Sequence, residues 1–138
     1  MSEDGPFGLR VESQNGVTSV ALRGALDMAT VPILDDLLSR FEEERDGQGH
    51  PDGGVLLDLR ELTFMDSSGL HALLRAKKRS EENGSQTVVI GASQTIRRLM
   101  HVTGTEFLLD DEGTVRTLGR LVGDGKARTT RERGTEDV

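Results

Sequence analysis

Polar and apolar positions along the chain switch repeatedly between a period of two and a period of three to four. Val17 to Arg23 alternates and is rich in β-formers, and Asn15-Gly16 just before it is a strong hairpin turn. Phe7 to Ser13 is then the antiparallel partner. From Met28 to about Glu44, Val31, Leu34, Leu37, Leu38 and Phe41 recur at helical spacing. Pro32 sits in the first turn, where proline is tolerated, and Asp27 or Thr30 can cap. Residues 46–54 read as a loop from their glycines, Pro51 and short polar side chains. Val55 to Leu59 is a short strand of buried type, and Leu70, Leu73, Leu74 and Lys77 mark a second helix that stops near Asn83-Gly84. Thr87 to Gly91 is another buried strand. A third helix spans Thr95 to Val102, with Ile96, Leu99 and Met100 inward and Thr103-Gly104 at its end. Phe107-Leu108-Leu109 is predicted as a last short strand and Thr114 to Val122 as a final helix.

The predicted order is β-β-α-β-α-β-α-β-α. A helix between consecutive strands implies parallel pairing, with the opening hairpin adding one antiparallel strand. The expected class is α/β: a mixed, mostly parallel sheet of four to five strands with an N-terminal β-hairpin, packed by about four helices. No internal repeat is visible.

Composition limits what this fold can do. The chain has 138 residues, a single-domain length, and no Cys, Trp or Tyr. Absence of cysteine excludes disulfides, thiolate metal sites and thiol nucleophiles. With 17 basic and 24 acidic residues the formal charge is -7, which argues against direct nucleic-acid binding through clustered Lys and Arg. No apolar run approaches the roughly 18 residues that read as a membrane span. The first six residues are acidic and hold no apolar stretch, so no secretory signal and a cytoplasmic location are expected. Residues 1–6 and 123–138 are expected to be disordered, flanking one domain at 7–122. The run from Gly123 has almost no large apolar residue to offset its ordering entropy. His50, His71 and His101 show no metal-ligand spacing, so neither metal nor cofactor is expected.

The segment Asp58 to Leu70 concentrates the candidate chemistry. A buried strand ends, the chain crosses briefly, and a helix begins at Asp66-Ser67-Ser68. The plain role of such residues is capping, because their oxygens accept the unpaired amides of the first turn. Three details point further. More capping groups are present than one helix start needs. Gly69 lowers helix propensity by about 1 kcal/mol yet lets another backbone come close. And a serine at a helix N-terminus is where a phosphate is best tolerated, since free amides and the helix dipole stabilise the dianion.

Gly24-Ala25-Leu26-Asp27 after a strand, Asp58-Leu59, and Phe64-Met65-Asp66-Ser67-Ser68-Gly69-Leu70 together resemble the STAS domain of anti-sigma factor antagonists. The resemblance runs from about residue 9 to residue 121 and takes in Arg98-Leu99 and Gly104. It implies the STAS fold and a phosphorylation site at Ser67, the first serine of Asp-Ser-Ser-Gly. In such proteins the unphosphorylated form captures an anti-sigma factor that is also a serine protein kinase and so frees the sigma factor. A PP2C-type phosphatase resets the switch. The expected partner surface comprises Asp27, Asp66, Ser68, Gly69, Leu70, His71 and Arg75. Arg75, Lys78 and Arg79 with His71 make a basic edge on the second helix, either a solvated face, the usual role of such an edge, or a contact for an acidic partner. Ala25 stands where Glu is common, His71 replaces a small or apolar residue, and the 46–54 loop and the tail are longer than the family pattern. None of these departures touches Ser67.

The competing readings are a non-switching STAS scaffold in a larger signalling assembly, and an enzyme. An enzyme lacks its signatures here. A nucleophile elbow needs a glycine two before the serine, where Met65 stands. No Walker-type phosphate loop is present, and a phospho-accepting receiver would need an acidic pair where Gly24-Ala25 stands.

Overall fold

The computed structural model describes residues 6–14, 17–48, 54–110 and 129–134. Among these, β1 (Gly8–Gln14) and β2 (Val17–Leu26) form the expected hairpin, paired from Gly8 with Arg23 to Gln14 with Val17. α1 (Val31–Gln48), β3 (Gly54–Met65), α2 (Ser67–Glu82), β4 (Gln86–Ile90) and α3 (Gln94–Thr103) follow, then a single 3-10 turn at Glu106–Leu108 and β5 (Thr129–Gly134). The sheet has five strands in the order β4-β3-β2-β1-β5. Pairs β2–β3 and β3–β4 are parallel, while β1–β2 and β1–β5 are antiparallel. The mixed α/β class is as expected.

The core is almost wholly aliphatic, with Phe7 its one buried aromatic among the described residues. Val20, Leu22, Leu26, Leu57 and Leu59 of the central strands pack with Leu34 and Leu37 of α1, Leu73 of α2, and Ile96 and Met100 of α3. α1 begins three residues later than the hydrophobic spacing suggested. Asp27 and Thr30 close a reciprocal box before it: the Asp27 carboxylate accepts from the Thr30 amide at 3.2 Å, and the Asp27 amide donates to the Thr30 hydroxyl at 2.9 Å.

Three expectations need correction. β3 runs to Met65, well past Leu59. Its pairing with β2 shifts register twice, so that Ala21 pairs with Asp58 but Arg23 with Glu61, and Gly24 with Leu62 but Ala25 with Phe64. Each shift inserts one extra residue into β3, so the buried positions Leu59, Leu62 and Met65 recur at threes and hide the strand's period of two. Next, Phe107-Leu108-Leu109 is no strand. Glu106–Leu108 is a 3-10 turn, and Asp110 after it reaches β4: its amide donates to the Val89 carbonyl at 2.7 Å, while its carboxylate accepts from the Val89 amide at 2.8 Å. Finally, Thr129–Gly134 lies in the stretch expected to lack structure, yet pairs with β1 from Ser13 to Gly8. An edge strand can be held by backbone hydrogen bonds alone, which apolar patterning does not register. The helix predicted at 114–122 lies outside the described residues.

Candidate functional site

β2 and β3 are neighbouring parallel strands whose last paired residues are Leu26 and Met65. Asp27 and Asp66 therefore leave the sheet side by side at the carboxyl ends of the strands, the end where open α/β sheets place their sites. The Asp66 amide donates to the Leu26 carbonyl at 3.4 Å, tying the two exits together.

Asp66 is the N-cap of α2. Its backbone is extended, its Oδ1 accepts from the Gly69 amide at 3.1 Å, and its carbonyl takes the first helical bond from Leu70. Ser67 is thus the first helical residue rather than the cap, and its side chain is exposed; Ser68 is half-buried. Gly69 is required by close approach. A Cβ there would stand 2.6 Å from the Leu26 carbonyl oxygen and 2.5 Å from Met65 Cγ, so the glycine lets α2 press on the end of β2. The backbone approach expected of Gly69 is therefore present, and it comes from within the fold.

Asp27 spends its carboxylate on the amides of Ala29 and Thr30 at 3.0 and 3.2 Å. Leu70 was expected at the partner surface but is 5% exposed and belongs to the core, because its position one turn into α2 points at the sheet. Arg75 is exposed and also reaches across to α1. Its guanidinium donates to Asp35 of α1 at 2.9 Å, and Arg79 likewise to Glu42 at 2.7 Å. Two members of the supposed basic edge are therefore neutralised within the fold, where they line a cleft between α1 and α2. All four residues, His71, Arg75, Lys78 and Arg79, are exposed.

Two large apolar side chains that the patterning did not single out are exposed at the ends of β2 and β3. Met28 is 76% exposed in the turn after Asp27, and Phe64 is 46% exposed one residue before buried Met65. Strand alternation carries the signal for Phe64: with Met65 inward, its neighbour faces out.

Behind the site, Asp58 and Arg60 form a close pair within β3, with guanidinium-to-carboxylate distances of 2.6–3.0 Å. Burial pushes the Asp58 pKa up. The hydrogen bonds from Arg60 and the charges of Arg60 and Arg10 outweigh that and hold it below its ordinary value.

The STAS domain family model matches residues 9–119. The chain belongs to the STAS domain family. Among curated relatives, the anti-sigma-B factor antagonist of Staphylococcus aureus is 29% identical over 109 residues, covering 78% of this chain and 95% of that protein. The anti-sigma-B factor antagonist of Staphylococcus epidermidis is 31% identical over 96 residues, 69% of this chain and 83% of that protein. Among solved structures, the unphosphorylated anti-sigma factor antagonist SpoIIAA superposes with a TM-score of 0.64 at 21% identity, covering 83% of this chain and 96% of that one, which supports the STAS fold. No helix among the described residues of this STAS domain is long and apolar enough to cross a membrane.

Proposed function

We propose that this STAS domain is a cytoplasmic anti-sigma factor antagonist that works by binding rather than catalysis. Its unphosphorylated form captures an anti-sigma factor with serine kinase activity and frees a sigma factor; phosphate on Ser67 ends the capture, and a PP2C-type phosphatase restores it. One observation carries this reading: Ser67 is exposed at the first position of α2 while Asp66 does the capping. The hydroxyl is thereby available to a kinase without cost to the helix. A phosphate there brings a charge of about -1.5 to -2 next to helix amides that stabilise it, so the fold survives while the docking surface gains negative charge. In this reading Asp27, Asp66, Ser68 and His71 share the docking surface with Ser67, and the exposed side chains of Met28 and Phe64 supply apolar area for a partner to bury.

The test pairs modification with binding. Incubated with the cognate kinase and ATP, wild type should shift on a phosphate-affinity gel and Ser67→Ala should not. Ser67→Ala should capture the kinase constitutively, and Ser67→Asp should capture it weakly while melting within a few degrees of wild type. A shift that persists in Ser67→Ala would put the phosphate elsewhere. Capture that is indifferent to Ser67→Asp would favour a scaffold.

A further inference from the structure

On the reading that Ser67 carries a phosphate, His71 is the single cation-capable side chain in the first two turns of α2. It follows Ser67 by four residues, and both are exposed. Helical side chains tilt toward the N-terminus, so a residue at i+4 leans over the turn that holds residue i, with Cβ atoms about 5–6 Å apart. The charges around this pair are already engaged. Asp66 is on the Gly69 amide, Asp27 on the amides of Ala29 and Thr30, and Arg75, one turn further along α2, on Asp35 of α1.

We infer that His71 is the intramolecular counter-ion of a phosphate on Ser67. A phosphoserine loses its second proton near pH 6. An imidazolium over the phosphate favours the dianion, so the second ionisation moves to lower pH. At 5–6 Å and water-like screening, the one negative charge gained in this step couples to a single positive charge by about 0.5 pH unit. Pairing also cancels part of the charge that phosphorylation adds to the docking surface.

Phosphoserine can be installed at position 67 during translation in the full chain, so the test needs no kinase. Titration by 31P NMR should place the second ionisation of wild type about 0.3–0.5 unit below that of His71→Gln. His71→Lys, a permanent cation on the same exposed position, should lower it at least as far. In 1 M salt, where the screening length is about 3 Å, the three proteins should converge. Identical midpoints for wild type and His71→Gln at low salt would overturn the inference, as would a His71→Lys midpoint equal to that of His71→Gln. Failure of the cognate kinase to modify Ser67 would instead sink the proposed switch and leave this coupling standing.

Discussion

At the scale of single residues, the site is built from capping and close approach, and both make predictions that propensity alone gets wrong. Gly69→Ala should gain about 1 kcal/mol in helix propensity. The added Cβ meets the Leu26 carbonyl oxygen at 2.6 Å, a backbone atom that cannot swing aside, and overpacking of this kind costs about 1–3 kcal/mol. The expected outcome is net destabilisation in urea unfolding; a stabilised variant would mean that α2 can slide off β2. Asp66→Ala should cost about 1 kcal/mol through the lost cap, whereas Ser67→Ala should stay within about 0.5 kcal/mol of wild type. Equal losses for the two would mean they share the capping. The motif Asp66-Ser67-Ser68-Gly69 was legible because its parts are local: a cap, a hydroxyl, and a residue without a side chain. Leu70 and Arg75 were not. Whether a helix residue points at solvent, the sheet or a neighbouring helix depends on how that helix docks, and Arg75 meets Asp35 across 40 positions of sequence.

At the scale of elements, hydrophobic periodicity recovered the hairpin, the helices among the described residues and the parallel strands, and it failed where pairing is irregular or held by polar groups. The bulges of β3 broke its alternation, and the strand expected at 107–109 was replaced by one polar residue. Asp110 serves the free edge of β4 with both its amide and its carboxylate, and the same carboxylate receives Lys77 of α2 at 2.7 Å. It fastens β4, α2 and the 3-10 turn together. Asp110→Ala leaves the Val89 amide without its acceptor beside a fully buried side chain, which should cost about 1–3 kcal/mol. Asp110→Asn keeps an oxygen for Val89 but loses the charge for Lys77, and should recover most of that loss. Amide exchange at Val89 distinguishes the two: fast in Asp110→Ala, near wild type in Asp110→Asn. Rapid exchange at Val89 in wild type itself would show that Asp110 does not protect this edge.

At the scale of the whole molecule, acidity and the fold pull in opposite directions as pH falls. The chain carries -7, with 13 basic and 18 acidic residues in 7–122, so protonating exposed carboxylates relieves self-repulsion. Asp58 acts the other way. Its folded pKa lies below the ordinary 3.8, because the Arg60 bonds and the charges of Arg60 and Arg10 outweigh burial. The folded state therefore binds this proton less readily than the unfolded chain does. Its contribution to stability is complete above the unfolded value and fades as pH falls from there through the folded one. Asp58→Asn removes this carboxylate and takes one negative charge off an acidic protein, a change that by itself favours folding. If the Asp58–Arg60 pair outweighs that relief, the variant is less stable than wild type at pH 7, and the deficit narrows below about pH 4, where the wild-type carboxyl also takes up its proton. Urea midpoints for the two proteins from pH 7 to pH 3 measure the deficit directly. A deficit that stays constant across this range would mean that shape, not charge, holds Asp58 in place, and a variant more stable than wild type at pH 7 would mean that relief of the net charge dominates.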